Sequence, residues 1–160
     1  MSNIVGRLVP YDDDYETCER TVAKLRIYGA AMDLPKVTEH LRVEPSMSHS
    51  GSKDSGGPVG ATRPGRAAWI LSSEGHVVSK DLRRHLDWLL NQIVPAAEGL
   101  RLVQSMDGVV TNVNCVWWSA KGDGGPVLWP EQMGRLAELD LECSFDFAFY
   151  EREDESFKRR

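Results

Sequence analysis

The stretch VNCVWWSAKGDGGPVLWPEQMGRLAELDLECSFDFAFY, Val113–Tyr150, decides the fold of this 160-residue chain. It predicts a strand, a glycine-rich loop, a helix that opens at Pro130, and a second strand. The earlier stretch TVAKLRIYGAAMDLPKVTEHL, Thr21–Leu41, has the same outline, with Pro35 in the first turn of its helix. Together they predict an α+β domain with pseudo-repeated β-α-β halves around one sheet.

The first and last of these strands alternate apolar and polar residues, as a strand with one buried face requires. In the last strand the apolar residues are Leu141, Cys143, Phe145, Phe147 and Phe149. We expect the three phenylalanines to lie buried under a helical layer. Strands of a doubly wound sheet would read as continuous apolar runs instead. The predicted fold class is therefore α+β: a two-layer sandwich of a mixed four- or five-stranded sheet with helices on one face.

The sequence between the two stretches supplies the remaining elements. Ala67–Ser72 is a short apolar strand. Ser79 is predicted to cap a longer helix whose apolar stripe runs to Ile93. Pro95 breaks this helix or restarts it as a second piece that continues to about Val103.

Three segments differ in composition from the single α+β domain predicted over residues 21–150. Residues 1–20 form an N-terminal segment with a possible edge strand and then an acidic loop that contains Asp12–Asp14. Residues 44–66 are dominated by Gly, Ser and Pro, which predicts a flexible loop within the domain. Residues 151–160 are nearly all charged and predict a frayed tail.

The overall composition excludes some classes of function. A net charge of −5 argues against a general nucleic-acid binder, which needs a basic surface to displace counterions from phosphates. No run approaches the ~20 apolar residues that span a bilayer, so we expect no membrane partner. An acidic run follows the N-terminus where a leader would be apolar, and we therefore expect a cytoplasmic protein. Cys115 and Cys143 fall on the apolar phase of predicted strands, which favours core thiols over a disulfide.

Motifs for catalysis and for cofactors are missing from the sequence. The histidines are scattered at His40, His49, His76 and His85. None has the spacing of a zinc site, and His40 and His85 are expected to be hydrogen-bonded surface residues. There is no GxSxG elbow, and the glycine clusters at residues 56–60 and 122–126 match no phosphate-binding motif. We predict no catalytic residue, no metal and no cofactor.

The face of the sheet away from the helices, here called the open face, is the predicted binding surface. Trp117 follows Cys115 inward, so Trp118 must project outward. The predicted members of the open face are Lys24, Arg26, Tyr28, Asn112, Asn114, Trp118, Ser144 and Asp146. An aromatic ring among charged and amide groups is typical of a binding surface. The alternatives are a solvated face with one stray tryptophan, or a face covered by the N-terminal segment.

Several short motifs resemble a bacterial family, the domain of unknown function 4279. They are LRIYG followed by a proline-bearing helix, LRVEPS, WILSS, the helix HLDWLL, and WWSAKGDGGP with F-x-F downstream. The resemblance covers about Thr21–Tyr150. It implies a stand-alone bacterial cytoplasmic protein of α+β build, of a kind often found among toxin–immunity loci. It transfers no catalytic residue to this chain.

The sequence favours a non-enzymatic, immunity-like module that binds a protein partner through the open face or the acidic N-terminal segment. One alternative is a small-ligand-binding domain or enzyme in which residues 44–66 close as a lid over Arg26, Tyr28, His49 and Arg66. Another is a homodimer formed through the sheet face.

Overall fold

The computed structural model describes residues 10–51 and 65–149. In chain order, the elements are β1 (Cys18–Gly29), α1 (Leu34–Leu41), β2 (Met47–His49), β3 (Ala67–Ser72), α2 (Leu82–Ile93), a 3-10 turn (Val94–Ala96), α3 (Ala97–Gln104), β4 (Val110–Ser119), α4 (Pro130–Glu138) and β5 (Glu142–Phe149). The predicted edge strand before residue 10, most of the 44–66 loop and the charged tail lie outside the described residues. In the part that is described, no helix is long and apolar enough to cross a membrane.

The five strands form one mixed sheet in the order β2-β3-β1-β4-β5. All neighbours are antiparallel except β4 and β5, which are parallel. The helices pack against one face, which confirms the predicted two-layer α+β sandwich. Helix α1 joins β1 to a strand two places away, whereas α4 joins adjacent strands. The pseudo-repeat of the two halves therefore stays a prediction.

The core lies between the sheet and its helices. Alternate residues of the central strands point into it and are fully or almost fully buried: Ala23, Leu25, Ile27, Val113, Cys115 and Trp117. Leucines from α2 meet them from the other layer, chiefly Leu86, Leu89 and Leu90. Because side chains alternate along a strand, the residues between these core positions face away from the helices and form the open face.

Two polar residues set where the first helices begin. Asp33 accepts a hydrogen bond from the backbone N–H of Lys36 (3.2 Å) and caps α1. The predicted cap of α2, Ser79, is wrong, because the helix begins at Leu82 and Asp81 caps it. Ser79 instead accepts the N–H of Asp81 (3.0 Å) and so supports the residue that does the capping.

Strand β5 carries the main departure from the sequence prediction. Phe145, Phe147 and Phe149, here called the Phe strip, are 38%, 62% and 53% exposed, so the prediction that they are buried is wrong. The three rings do lie on the predicted side of the sheet, since Phe147 pairs with the buried Trp117. However, β5 is at the edge of the sheet formed by the described residues, and the loop beside its last two rings runs through Gly122 and Gly125, which have no side chains to cover them.

Candidate functional site

The register of the sheet brings the residues predicted for the open face onto one surface. Across β1 and β4 the facing pairs are Arg20 with Trp118, Lys24 with Asn114, Arg26 with Asn112 and Tyr28 with Val110. On β5, Ser144 pairs with Asn114, and Asp146 lies one alternate position further along. That this surface binds a partner stays a prediction.

A hydrogen-bonded network fixes the centre of the open face. Arg26 donates from Nε to Asn112 Oδ1 (3.1 Å) and from Nη2 to Ser144 Oγ (3.4 Å). Asn114 donates from Nδ2 to Ser144 Oγ (3.1 Å) and to Asp146 Oδ2 (3.0 Å). Every contact of the guanidinium in this network is with a neutral group. Arg26 is therefore held along the sheet while its charge has no acidic partner within the described residues.

Trp118 forms a second centre with a charged residue above it. The guanidinium of Arg20 lies 4.1 Å from the centre of the Trp118 ring. Arg20 also pairs with Glu74 at 3.0 Å, and both of these side chains are 54% exposed. Such an exposed ion pair contributes little to stability, so a ligand can displace it at small cost. Lys24 lies between the two centres and has no ion pair to a described residue.

The open face is wide, and neither of two cavities found among the described residues reaches its centre at Arg26. Arg20 and Arg26 are six positions apart along β1, which corresponds to ~20 Å. A cavity of about 380 Å³ includes Arg20 at its edge but extends toward Asp13 and His85. A second, of about 640 Å³, lies among α1 and α3. Neither includes Arg26.

Two of the residues named for the lid hypothesis, His49 and Tyr28, lie on the same face of the sheet. His49 pairs with Ala68 across β2 and β3, and Ala68 pairs with Tyr28 across β3 and β1. His49 and Tyr28 are therefore two strands apart, or about 10 Å, on the same face. Residues 52–64, which would form most of the lid, lie outside the described residues, so lid closure stays a prediction.

A buried serine–histidine pair escaped the sequence prediction. His85 is only 2% exposed, so its expected place on the surface is wrong. Its Nε2 lies 2.8 Å from the carbonyl oxygen of Ser79, which can only accept, so Nδ1 is the acceptor for the Ser73 hydroxyl at 2.7 Å. Ser73 is fully buried and its Oγ also accepts the N–H of Ala23 (2.9 Å), so a substrate cannot reach it in this conformation. Burial lowers the pKa of His85 below its ordinary value.

No sequence motif signals this pair, because Ser73 and His85 are 12 positions apart and belong to different elements. Only the packing of α2 on the end of β3 brings them together.

A fully buried arginine ties the N-terminal segment to α2. Arg83 forms a two-bond ion pair with Asp81, at 2.9 Å from Nε and 2.6 Å from Nη2. Nη2 also donates to the carbonyl of Pro10. The guanidinium lies 4.6 Å from the centre of the Trp129 ring and 5.4 Å from that of Tyr11. The site is structural, since it joins three distant segments of the chain.

The acidic N-terminal run is engaged within the molecule. Asp13 accepts hydrogen bonds from Ser79 Oγ (2.7 Å) and Arg84 Nε (3.1 Å). The hydrogen bond from Ser79, together with the hydrogen bond and charge of Arg84, lowers the pKa of the Asp13 carboxyl. Lys80 lies 3.7 Å from Asp14. Because Asp13 and Asp14 already have cationic neighbours in Arg84 and Lys80, they offer less free charge to a basic partner than the sequence implies.

The cysteines and histidines supply no metal site in residues 10–51 and 65–149, where no three potential ligands cluster. Cys115 Sγ and Cys143 Sγ lie 3.8 Å apart as free thiols. The hydrogen bond with Cys143, together with burial, raises the pKa of Cys115. Burial raises the pKa of Cys18 to about 11.

Comparison with known proteins assigns the chain to a family. The family model described as Domain of unknown function (DUF4279) matches residues 17–150, most of the chain, and the chain belongs to this family. Neither the curated proteins nor the solved structures contain a match.

Proposed function

We propose that this member of the family is a non-enzymatic, immunity-like module whose open face binds an acidic surface on a partner protein. The observation that carries the proposal is the pair of cations, Lys24 and Arg26, at the centre of the open face, neither of which forms an ion pair with a described residue. A protein surface that presents carboxylates there would neutralise both charges.

The residue types on the open face suit a protein interface. Tryptophan, tyrosine and arginine are the residues that most often dominate binding energy between proteins. Trp118, Tyr28 and Arg26 all lie on this face, and Arg26 is already held in place by Asn112 and Ser144. A side chain that is ordered before binding loses less entropy when the complex forms. The face therefore presents a fixed cation rather than a mobile one.

The size of the open face favours a protein over a small ligand. The centres at Trp118 and Arg26 are separated by ~20 Å, a span that a typical interface of about 800 Å² per partner covers and a metabolite does not. The acidic N-terminal run is the weaker candidate, because Asp13 is already bonded to Ser79 and Arg84.

A cytoplasmic location is part of the same proposal. Cys115 and Cys143 lie 3.8 Å apart as free thiols, and thiols at such distance persist in a reducing compartment.

The test is co-expression with the product of the adjacent gene, followed by titration calorimetry of the purified pair. Arg26→Ala and Trp118→Ala should each raise the Kd about 10-fold or more, as truncation of a central interface residue does. The matched control is Lys36→Ala, which removes a cation from the exposed side of α1 in the helical layer. Raising the salt concentration should weaken the wild-type complex, because the interaction is between opposite charges.

Two results would count against the proposal. If the neighbour forms no complex, the immunity-like role is wrong. If a complex forms and binds both variants as tightly as the wild type, the partner uses a different surface. Melting curves of the variants distinguish lost binding from lost folding.

A further inference from the structure

We infer that a second copy of this chain pairs with the free edge of β5, antiparallel to it, about a two-fold axis at Phe147. This surface is separate from the open face, so the inference goes beyond the proposed function. It starts from the Phe strip, the three exposed rings on one side of β5.

The two edges of the sheet differ in how well they are protected. Strand β2 is only three residues long, and a short edge offers little to pair with. Strand β5 is eight residues long, and no strand within residues 10–51 or 65–149 pairs with its outer side. A long edge that carries apolar side chains associates with other chains unless it is covered. Among the described strands, β5 is therefore the edge that has the most to gain from a partner.

The Phe strip is ordered and supported from within the molecule. The rings of Phe145 and Phe147 stack with their centres 6.4 Å apart and their planes 23° from parallel. Phe149 lies close to Gly122, where an added Cβ would be 3.3 Å from the ring. Gly122 has a φ of +81°, which L side chains rarely adopt, so the loop can approach the ring only with glycine here. The strip is thus a fixed apolar surface.

Charge and exposure select the register of the pair. An axis at Asp146 would set this carboxylate opposite its own copy, which is unfavourable. An axis at Phe145 would set the exposed Phe149 opposite Leu141 of the second copy, which the core already buries. An axis at Phe147 sets Phe147 opposite itself and Phe145 opposite Phe149 of the second copy. It also sets Asp146 opposite Ala148 of the second copy, which avoids a like-charge contact.

The area available predicts a weak dimer. The exposed fractions of the Phe strip together equal about one and a half phenylalanine surfaces, or about 300 Å² per copy at about 200 Å² each. Two copies therefore cover about 600 Å² of ring surface, against the about 1,200–2,000 Å² of a stable interface. The paired strands add further area and hydrogen bonds, so we expect a reversible dimer with a micromolar Kd.

Sedimentation velocity over about 2–500 µM protein, a range that brackets a micromolar Kd, tests the inference. Ala148→Asp places a carboxylate opposite Asp146 and should weaken the dimer about five-fold, because the repulsion occurs at two symmetry-related pairs. Ala148→Lys should tighten it by a similar factor. The exchange Asp146→Lys with Ala148→Asp recreates that opposite-charge pair with its signs reversed, so it should tighten the dimer as Ala148→Lys does. Val78→Asp and Val78→Lys are controls for net charge, since Val78 is fully exposed.

A wild-type chain that stays monomeric through this range would overturn the inference. A dimer that responds equally to Ala148→Asp and Val78→Asp would refute pairing along β5. A dimer that Ala148→Asp weakens and that the exchange also leaves weaker than the wild type would refute the axis at Phe147, since an axis at Phe145 sets Ala148 opposite Glu142. Dimerisation is measured on the chain alone, whereas binding through Arg26 is measured with the separate partner, so the two proposals can fail independently.

Discussion

Replacing Arg83 by methionine should destabilise the fold more than its position near the start of a helix suggests. Arg83 is fully buried and Asp81 is only 2% exposed, so the substitution leaves a carboxylate in the interior without its counterion. Breaking a buried ion pair in this way costs about 3–5 kcal/mol. Asp81 retains the N–H groups of Asp12 and Arg83 as donors, which places the expected loss toward the lower end of that range.

A double-mutant cycle gives this prediction its sharpest form. Asp81→Asn removes the charge but keeps an oxygen that can cap α2, so it isolates the ionic part of the contact. Arg83→Met and Asp81→Asn should each be costly, whereas the double variant should lose clearly less than the sum of the two. We expect a coupling free energy of about 1.5–3 kcal/mol, as for residues in direct contact within one network.

Urea denaturation monitored by tryptophan fluorescence measures all four forms. Since about 1 kcal/mol shifts the melting temperature of a chain this size by about 2–4 °C, Arg83→Met should also melt about 6–15 °C below the wild type. A loss under about 1 kcal/mol for Arg83→Met, or additive single and double variants, would show that the buried pair is not a stabilising unit.

Three further predictions follow from burial. Phe147→Ala should lower the free energy of unfolding by less than about 1 kcal/mol, whereas Trp117→Ala on the neighbouring strand should lower it by about 3–5 kcal/mol. Denaturation at low protein concentration measures both losses. Equal losses would contradict the exposure of the Phe strip. Burial lowers the pKa of His85, so the unfolded chain takes up this proton at a higher pH than the folded chain. The contribution of His85 to the free energy of unfolding should be constant above about pH 6.5 and fall below it by up to ~1.4 kcal/mol per pH unit, with a smaller slope in His85→Gln. The pKa of Cys18 is raised to about 11 by burial, so iodoacetamide at pH 8 should alkylate it only after unfolding, as mass spectrometry would detect.

The Phe strip indicates how far alternation alone can predict a structure. Alternation placed Phe145, Phe147 and Phe149 on the side of the sheet that faces the helices, and their pairing with Cys115, Trp117 and Ser119 agrees. Burial depends in addition on whether another element lies above each strand. That follows from strand order, and nothing in the period of a single strand determines its neighbours. The same reasoning succeeded for β1, because β1 lies in the middle of the sheet.

The open face was predictable for a related reason. Lys24, Arg26 and Tyr28 alternate with core residues on β1, so their shared direction follows from local sequence. The contact between Arg26 and Ser144 does not, because it joins β1 to β5 across β4. Likewise, Asp81 before an apolar helix is a recognisable cap, but the burial of Arg83 requires Tyr11 and Trp129 from distant segments.

The two proposed surfaces meet on β5 without competing for it. Ser144 and Asp146 belong to the open face, whereas the Phe strip lies on the helical side of the same strand. Antiparallel pairing of two β5 edges extends the sheet sideways, so both open faces of the dimer point in one direction and stay uncovered. Diluted below the Kd of the dimer, the monomeric wild-type chain should therefore still bind the partner, whereas Ala148→Asp would place a carboxylate beside Trp118 on the open face itself. A dimer, however, presents two copies of Arg26 on one continuous surface, and a partner with two acidic sites would bind it with higher avidity than it binds the monomer. Equal affinity for both forms would mean that the partner has a single site.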